Sequence, residues 1–139
     1  MARYIILEDE PSFKTKITAT MDEAGHQRLG EFYNVDEAGA FLSELAQQDE
    51  MHTAKDVILL CDATVFDRNV VVGGKSVKDA GVAVATHARG VIPGIYVIGI
   101  GSNDESWSDF HAGKSKLYIL ESVKRHVASL SAGGVEMKR

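Results

Sequence analysis

VILLCD, residues 57–62, places four large apolar residues and a cysteine directly before an aspartate. Such a run is typical of a buried central strand, and the tip of this strand carries the carboxylate of Asp62. In an open α/β sheet, ligands bind in the crevice at the carboxyl ends of the parallel strands. We therefore predict that Asp62 is a functional residue. Taken by itself, the stretch is also compatible with an aspartate that begins a turn or caps the next helix.

The composition is that of an ordinary globular domain. The chain has 139 residues, of which 45% are hydrophobic and 25% are charged, and its net charge is -5. The acidic balance argues against a nucleic-acid partner, and no apolar stretch reaches the length of a membrane span. The first residues lack the apolar core of a signal peptide, so we expect a cytoplasmic protein. The single cysteine, Cys61, excludes an internal disulfide and a cysteine-rich metal site.

A second short apolar run, YIIL at residues 4–7, also ends in acids. Pro11 follows these acids, which stops the strand and suits the first turn of a helix. Apolar side chains then recur at helical spacing until Gly25, where we predict that the helix ends. The chain therefore opens with a strand, an acidic loop and a helix, and the three consecutive acids are Glu8, Asp9 and Glu10.

Strands and helices continue to alternate, which predicts a doubly wound α/β sheet with mostly parallel strands. We place one domain over residues 1–131 and a flexible C-terminal tail over residues 132–139. The further predicted elements are a short strand within residues 28–35, a helix capped by Asn34 or Asp36, a polar linker at residues 47–55, a small extra strand at residues 70–72, a helix over residues 76–89, a strand over residues 95–100 and a final amphipathic helix from Lys116.

Polar groups follow three of the predicted strands at the point where each strand ends. Glu8 and Asp9 follow the first strand, Asp62 follows the central strand and Ser102 follows IYVIGI at residues 95–100. Clustered carboxylates repel one another unless a proton or a hard cation joins them. Mg²⁺ prefers carboxylate oxygens and retained waters, and carboxylates can also accept a phosphoryl group. The grouping therefore predicts Mg²⁺ as cofactor and phosphoryl transfer as chemistry.

With YIILEDEP, VILLCD and IYVIGIGS in this order, the chain resembles the receiver domain of two-component response regulators over essentially its whole length. The resemblance implies a five-stranded parallel sheet with five helices. It also implies a site at which an acidic pair binds Mg²⁺ and an aspartate accepts phosphate from a histidine kinase.

Carried over by position, the resemblance assigns a role to each of these residues. Glu8 and Asp9 match the acidic pair, with Asp9 as the direct metal ligand. Asp62 matches the phosphoacceptor, and the backbone carbonyl of Thr64 would be the third protein ligand. Ser102 matches the hydroxyl that hydrogen-bonds the phosphoryl group and draws its loop inward.

The lysine that ends the fifth strand in this family is matched less closely. DFHAGKS, residues 109–115, offers Lys114 followed by serine, where the family has Lys-Pro. A strand at residues 116–120 would leave no lysine at its end, but the apolar spacing there is helical, which favours Lys114. The fourth helix is predicted to be shortened or missing. Phe110 and Tyr118 both lie near the position of the family's aromatic switch residue.

The leading hypothesis is a stand-alone receiver that takes a phosphoryl group onto Asp62 from a histidine kinase or phosphotransfer protein. It would signal to an effector protein by direct contact, and it would not be a conventional enzyme. The alternative is a pseudo-receiver, an interaction module that keeps the fold without using phosphate. A small flavodoxin-like enzyme is disfavoured because the acids after the first strand would repel an anionic ligand. A nucleotide triphosphatase is also disfavoured, because the Gly-Lys-Ser sequences at residues 74–76 and 113–115 lack the first glycine of a P-loop.

Overall fold

The structure is a computed structural model that describes residues 1–67, 74–101 and 107–137, with only the backbone described at residues 75, 76 and 131–137. Strands and helices alternate over the first half of the chain, as the apolar pattern predicts. The elements are β1 (Arg3–Leu7), α1 (Pro11–Glu23), β2 (Gln27–Phe32), α2 (Val35–Leu45), a 3-10 helix (Asp49–His52), β3 (Val57–Cys61), β4 (Val65–Asp67), β5 (Lys75–Val77), α3 (Ala80–Val91), β6 (Tyr96–Gly99), β7 (Phe110–His111) and α4 (Lys116–Met137).

Five parallel strands form one sheet in the order β2-β1-β3-β6-β7, which confirms the predicted doubly wound α/β class. All five residues of β3 are buried. Ile58 and Leu60 face the layer that contains α1 and α4, whereas Leu59 and Cys61 face the layer that contains α2 and α3. Because helices cover both faces, the central strand is apolar at every position instead of alternating.

The first two helices begin where the sequence predicts them. Pro11 stands at the first position of α1, and Gly25 follows the helix with a φ of +87°, a conformation that favours glycine. Of the two candidate caps for α2, Asn34 is the one used, because its side-chain oxygen accepts a hydrogen bond from the Glu37 amide at 3.0 Å.

The segment between β3 and α3 differs from the prediction. β4 and β5 pair antiparallel as a separate two-stranded sheet, and the strand predicted at residues 70–72 lies outside the described residues. The helix predicted over residues 76–89 was wrong at its start, because residues 76 and 77 belong to β5. α3 begins only at Ala80, after Asp79 has turned the chain with a φ of +66°.

The C-terminal third contains the shortest strand and the longest helix. β7 has two residues, and no helix lies between β6 and β7 among the described residues of that segment, which exclude residues 102–106. α4 runs to Met137, so residues 132–137 of the predicted tail are helical, while the domain boundary at residue 131 stays a prediction. In the described ranges, no helix is both long and apolar enough to cross a membrane.

Candidate functional site

The carboxyl ends of β1, β3 and β6 meet at one edge of the sheet. The amide of Asp62 donates to the carbonyl of Leu7 at 3.1 Å, and the amide of Ile100 donates to the carbonyl of Cys61 at 3.0 Å. The parallel hydrogen-bond pattern therefore continues one residue past each strand. As a result, Glu8 and Asp62 leave the sheet side by side.

Lys114 reaches this edge from the loop after β7. The amides of Ala112 and Gly113 both donate to the carbonyl of Gly99, at 2.9 and 3.2 Å, which fixes the loop against the end of β6. Gly113 has a φ of +64°, and this turn directs the chain away from the strand. The Lys114 ammonium then donates hydrogen bonds to Glu8 Oε1 and to Asp62 Oδ2, the latter at 2.8 Å.

Both oxygens of Asp62 are engaged. Oδ1 accepts a hydrogen bond from the Thr64 amide at 3.0 Å, and Oδ2 accepts the one from Lys114. The side chain of Asp62 is only 12% exposed, whereas the side chain of Lys114 is 35% exposed. The carboxylate is thus oriented by hydrogen bonds and still touches solvent.

The electrostatics of the site follow from burial and from the proximity of the two carboxylates. Burial raises the pKa of Glu8 to about 7, the negative charge of Asp62 adds to the rise, and the hydrogen bond from Lys114 opposes it. Burial by itself would lower the pKa of Lys114, but its hydrogen bonds to Asp62 and Glu8 outweigh this effect and raise the pKa. One ammonium is therefore shared by two carboxyl groups, and near neutral pH a proton on Glu8 can balance the second negative charge.

Of the other predicted site residues, Asp9 is described by the structure and Ser102 is not. Asp9 follows Glu8 directly and is half-buried at the same edge of the sheet. Glu8 Oε2 accepts a hydrogen bond from the Glu10 amide at 3.3 Å, so both Glu8 oxygens are already in use. Ser102 lies outside the described residues, although Gly101 immediately before it is buried beside the site and its carbonyl is 3.1 Å from His111 Nε2.

The predicted magnesium ligands fit a hard cation by their chemistry. Asp62 and Glu8 bring two carboxylates together, which is the charge arrangement that a divalent cation relieves. Within the described ranges, no three His, Cys, Asp or Glu side chains form a metal-binding group. A metal held here would therefore depend on the side chains of Asp9 and Asp62, the carbonyl of Thr64 and retained waters, as Mg²⁺ commonly does.

Two residues contact the site that the sequence did not single out. The Lys114 ammonium lies 4.4 Å from the centroid of the Phe13 ring, on α1. Gly81 of α3 packs directly on the carbonyl of Asp62, where an added Cβ would come within 1.8 Å of the oxygen. Phe13 is one of the apolar side chains that recur at helical spacing after Pro11, and that pattern predicts burial but no contact with the site. Nothing in the local sequence distinguishes Gly81 from other helical glycines.

The two candidates for an aromatic switch are in different environments. Phe110 is half-buried in β7, with the guanidinium carbon of Arg125 5.9 Å from its ring centroid. Tyr118 lies on α4 and is 64% exposed. They share one groove of about 490 Å³, which the C-terminal helix and β7 form together.

The five-stranded parallel sheet, with helices on both faces, matches the receiver fold seen in solved structures. No family model matches the sequence, and no match is found among curated proteins. Among solved structures, the signal receiver domain of a modulated diguanylate cyclase from Desulfovibrio desulfuricans G20 superposes with a TM-score of 0.68 at 15% identity, covering 96% of this chain and 98% of that one.

Two further solved structures share this architecture. A CheY-like response regulator receiver domain protein from Methanospirillum hungatei JF-1 has a TM-score of 0.65 at 13% identity, with 96% of this chain and 98% of that chain covered. The BeF3-activated DrrB receiver domain has a TM-score of 0.59 at 15% identity, over 92% and 98% of the two chains. At these identities the likeness establishes the fold, and it extends over nearly the whole chain.

Proposed function

We propose that this chain is a phosphoacceptor receiver domain, which takes a phosphoryl group onto Asp62 from a histidine kinase or phosphotransfer protein in an Mg²⁺-dependent reaction. The proposal rests on one observation above the others. A single ammonium, that of Lys114, contacts both Glu8 and Asp62 at the shared edge of three strands. This contact brings together one member of the acidic pair, the proposed acceptor and the lysine, although Lys114 lies 52 residues after Asp62 and 106 residues after Glu8.

The chemistry requires one bond to form and one to break. An oxygen of the Asp62 carboxylate attacks the phosphorus and forms an O–P bond, giving an acyl phosphate. The bond from phosphorus to the donor's imidazole nitrogen breaks, and its electron pair stays with the donor. The hydrogen bond from the Thr64 amide orients the carboxylate before this attack.

The surrounding residues stabilise the charge that the phosphoryl group brings. Lys114 donates to Asp62 Oδ2 before the reaction and lies within reach of phosphoryl oxygens after it. Mg²⁺, when bound by Asp9, Asp62 and the carbonyl of Thr64, would neutralise charge on the phosphoryl oxygens. The added group would then shift a two-state loop and surface, and the signal would pass to an effector protein by contact.

The test is intact-mass spectrometry after incubation with acetyl phosphate and Mg²⁺. We expect one added phosphoryl group on the wild type, no adduct without Mg²⁺ and none on Asp62→Asn. Asp49→Asn is the matched control, because Asp49 is an exposed aspartate of the 3-10 helix. It should gain the phosphoryl group as the wild type does.

A folded wild-type protein that gains no phosphoryl group at any donor concentration would contradict this function. Such a result would favour the pseudo-receiver, in which the fold serves only to bind other proteins. Labelling that persists in Asp62→Asn would instead mean that a different side chain accepts the group.

A further inference from the structure

Among the described residues, an aromatic ring packs against the Lys114 ammonium. Its nitrogen lies 4.4 Å from the centroid of the Phe13 ring, within the distance at which a cation is attracted by the π face. The ammonium also donates hydrogen bonds to Glu8 and Asp62. The ammonium is therefore held between two carboxylates and an aromatic ring.

The ring is much better fixed than the lysine. Phe13 is 9% exposed and belongs to the apolar cluster between the sheet and helices α1 and α4. It lies in the first turn of α1, which begins at Pro11 directly after the acidic loop. Lys114, in contrast, is on a loop after Gly113 and has four rotatable side-chain bonds. Packing therefore fixes the position of the ring independently of the lysine.

The two kinds of contact respond differently to phosphoryl transfer. When Asp62 becomes an acyl phosphate, the carboxylate that accepts from Lys114 changes its charge and its shape. The Phe13 ring changes neither. An attraction that persists through the reaction can keep the ammonium near the reacting oxygens while its hydrogen-bond partner is exchanged.

On this geometry, and resting on the function proposed above, we infer that Phe13 is a positioning residue that holds the Lys114 ammonium at the site during phosphoryl transfer to Asp62. The ring acts through the lysine and does not touch the reacting atoms. If Phe13 had a purely structural role, its π face would not affect phosphoryl transfer. Any apolar side chain of similar size would then support the reaction equally well.

The first measurement is a double-mutant cycle on stability, using urea unfolding of the wild type, Phe13→Leu, Lys114→Met and the double variant. If the ring attracts the ammonium, Phe13→Leu will cause a larger loss of stability with Lys114 present than with Lys114→Met, and the factor by which it raises the unfolding equilibrium constant will be about threefold or more larger with Lys114 present. Equal losses in both backgrounds would overturn the inference. This measurement does not depend on phosphorylation.

The second measurement is the rate of phosphoryl incorporation from acetyl phosphate. We expect Phe13→Leu to slow incorporation by roughly 3- to 30-fold and Phe13→Tyr, which keeps the π face, to remain within about twofold of the wild type. In the Lys114→Met background, Phe13→Leu should cause no further slowing. An equal effect of Phe13→Leu in both backgrounds, or equal rates for the leucine and tyrosine substitutions, would overturn the positioning role.

The two measurements separate failure of this inference from failure of the proposed function. A wild type that gains no phosphoryl group overturns both the function and any role of Phe13 in transfer, even if the stability cycle shows coupling. A wild type that is phosphorylated, together with an additive cycle, overturns only the inference about Phe13.

Discussion

At the scale of single residues, the carbonyl of Asp62 packs against a glycine of α3, Gly81. A Cβ at Gly81 would lie 1.8 Å from that carbonyl oxygen and 2.9 Å from its carbon, both of which are backbone atoms. The amide of Gly81 also donates to the carbonyl of Ala63 at 2.9 Å. The first turn of α3 is thus packed against the loop that carries Asp62, with no room for a side chain.

We expect Gly81→Ala to lower the free energy of unfolding by about 1–3 kcal/mol, because either the helix or the Asp62 backbone must move. The same displacement should weaken the hydrogen bond from Thr64 to Asp62 and reduce phosphoryl incorporation. Urea unfolding and intact-mass kinetics measure the two effects.

Gly39 provides the matched control, since it is also a helical glycine but has no atom within 4 Å of an added Cβ. Gly39→Ala should stabilise α2 by about 0.5–1 kcal/mol and leave incorporation unchanged. Equal effects of the two substitutions would show that helix propensity, and not contact with Asp62, governs the response at Gly81.

A second residue-scale prediction concerns Arg3 and Asp56, which are linked by two hydrogen bonds of 2.8 Å. The Arg3 guanidinium lowers the pKa of Asp56 below its usual value. Because the folded-state pKa is lowered, the pair stabilises the protein fully above the ordinary aspartate pKa. This stabilisation is lost as the pH falls from that value through the lower pKa of the folded state.

We therefore expect Asp56→Asn to cost about 1 kcal/mol at pH 7 and progressively less as the pH falls below about 4. Urea unfolding across this pH range tests the prediction, with the exposed Asp49→Asn as control. A cost that stays constant with pH would contradict the assignment of the effect to the ionised carboxylate.

At the scale of elements, the edge strand β7 is very short, and the side chain of Asp109 supplies a hydrogen bond to β6 next to it. β7 pairs with β6 over only two residues, yet the Val97 amide of β6 donates to Asp109 Oδ2 at 2.7 Å. The amide of Asp109 donates in turn to the carbonyl of Val97 at 2.8 Å. Arg89 of α3 contacts the same carboxylate at 3.2 Å and donates to the carbonyl of Trp107 at 2.8 Å.

Removing this carboxylate should leave the buried Val97 amide without an acceptor. We expect Asp109→Ala to cost about 1–3 kcal/mol and to accelerate hydrogen exchange of the Val97 amide. Asp109→Asn keeps an oxygen for Val97 while losing the charge that faces Arg89, so it should cost less and protect the amide better. Equal exchange rates in the two variants would contradict the role given to the side-chain oxygen.

The elements that the sequence predicted well are those whose pattern is dictated by burial. β3 is a continuous apolar run because it is covered on both faces, and α1 is bounded by Pro11 and Gly25, whose backbone preferences are strong. The start of α3 was wrong, since Ser76 and Val77 suit a helix as well as a strand and only the pairing of β5 with β4 decides between them.

The site was predictable to the extent that it follows from strand ends. Glu8 and Asp62 end buried strands, so their proximity follows from parallel pairing. Lys114 could not be placed by its strand, because β7 is only two residues long, and the contact with Phe13 depends on how α1 packs. Contacts that long side chains make between different elements produce no periodic pattern in the sequence, so the sequence alone does not predict them.

At the scale of the whole molecule, an acidic chain with a net charge of -5 gathers several of its carboxylates at one edge of its sheet. Only the Lys114 ammonium bridges Glu8 and Asp62 in the described structure, and burial already raises the pKa of Glu8. A cation that binds the folded site and has no comparable site in the unfolded chain must stabilise the entire fold, because the five strands come together only in the native state.

We therefore predict that Mg²⁺ raises the free energy of unfolding of the wild type, by about 2.7 kcal/mol when its concentration reaches a hundred times the dissociation constant. Asp9→Ala and Asp62→Asn should each abolish this response, whereas Asp49→Asn should retain it. Urea unfolding at increasing MgCl₂ measures the effect, with NaCl of equal ionic strength as the control for screening. Since the linkage depends on the metal and not on a phosphodonor, an equal response in all four proteins would mean that Mg²⁺ acts only as a screening salt, and the acidic edge would then have no specific metal site.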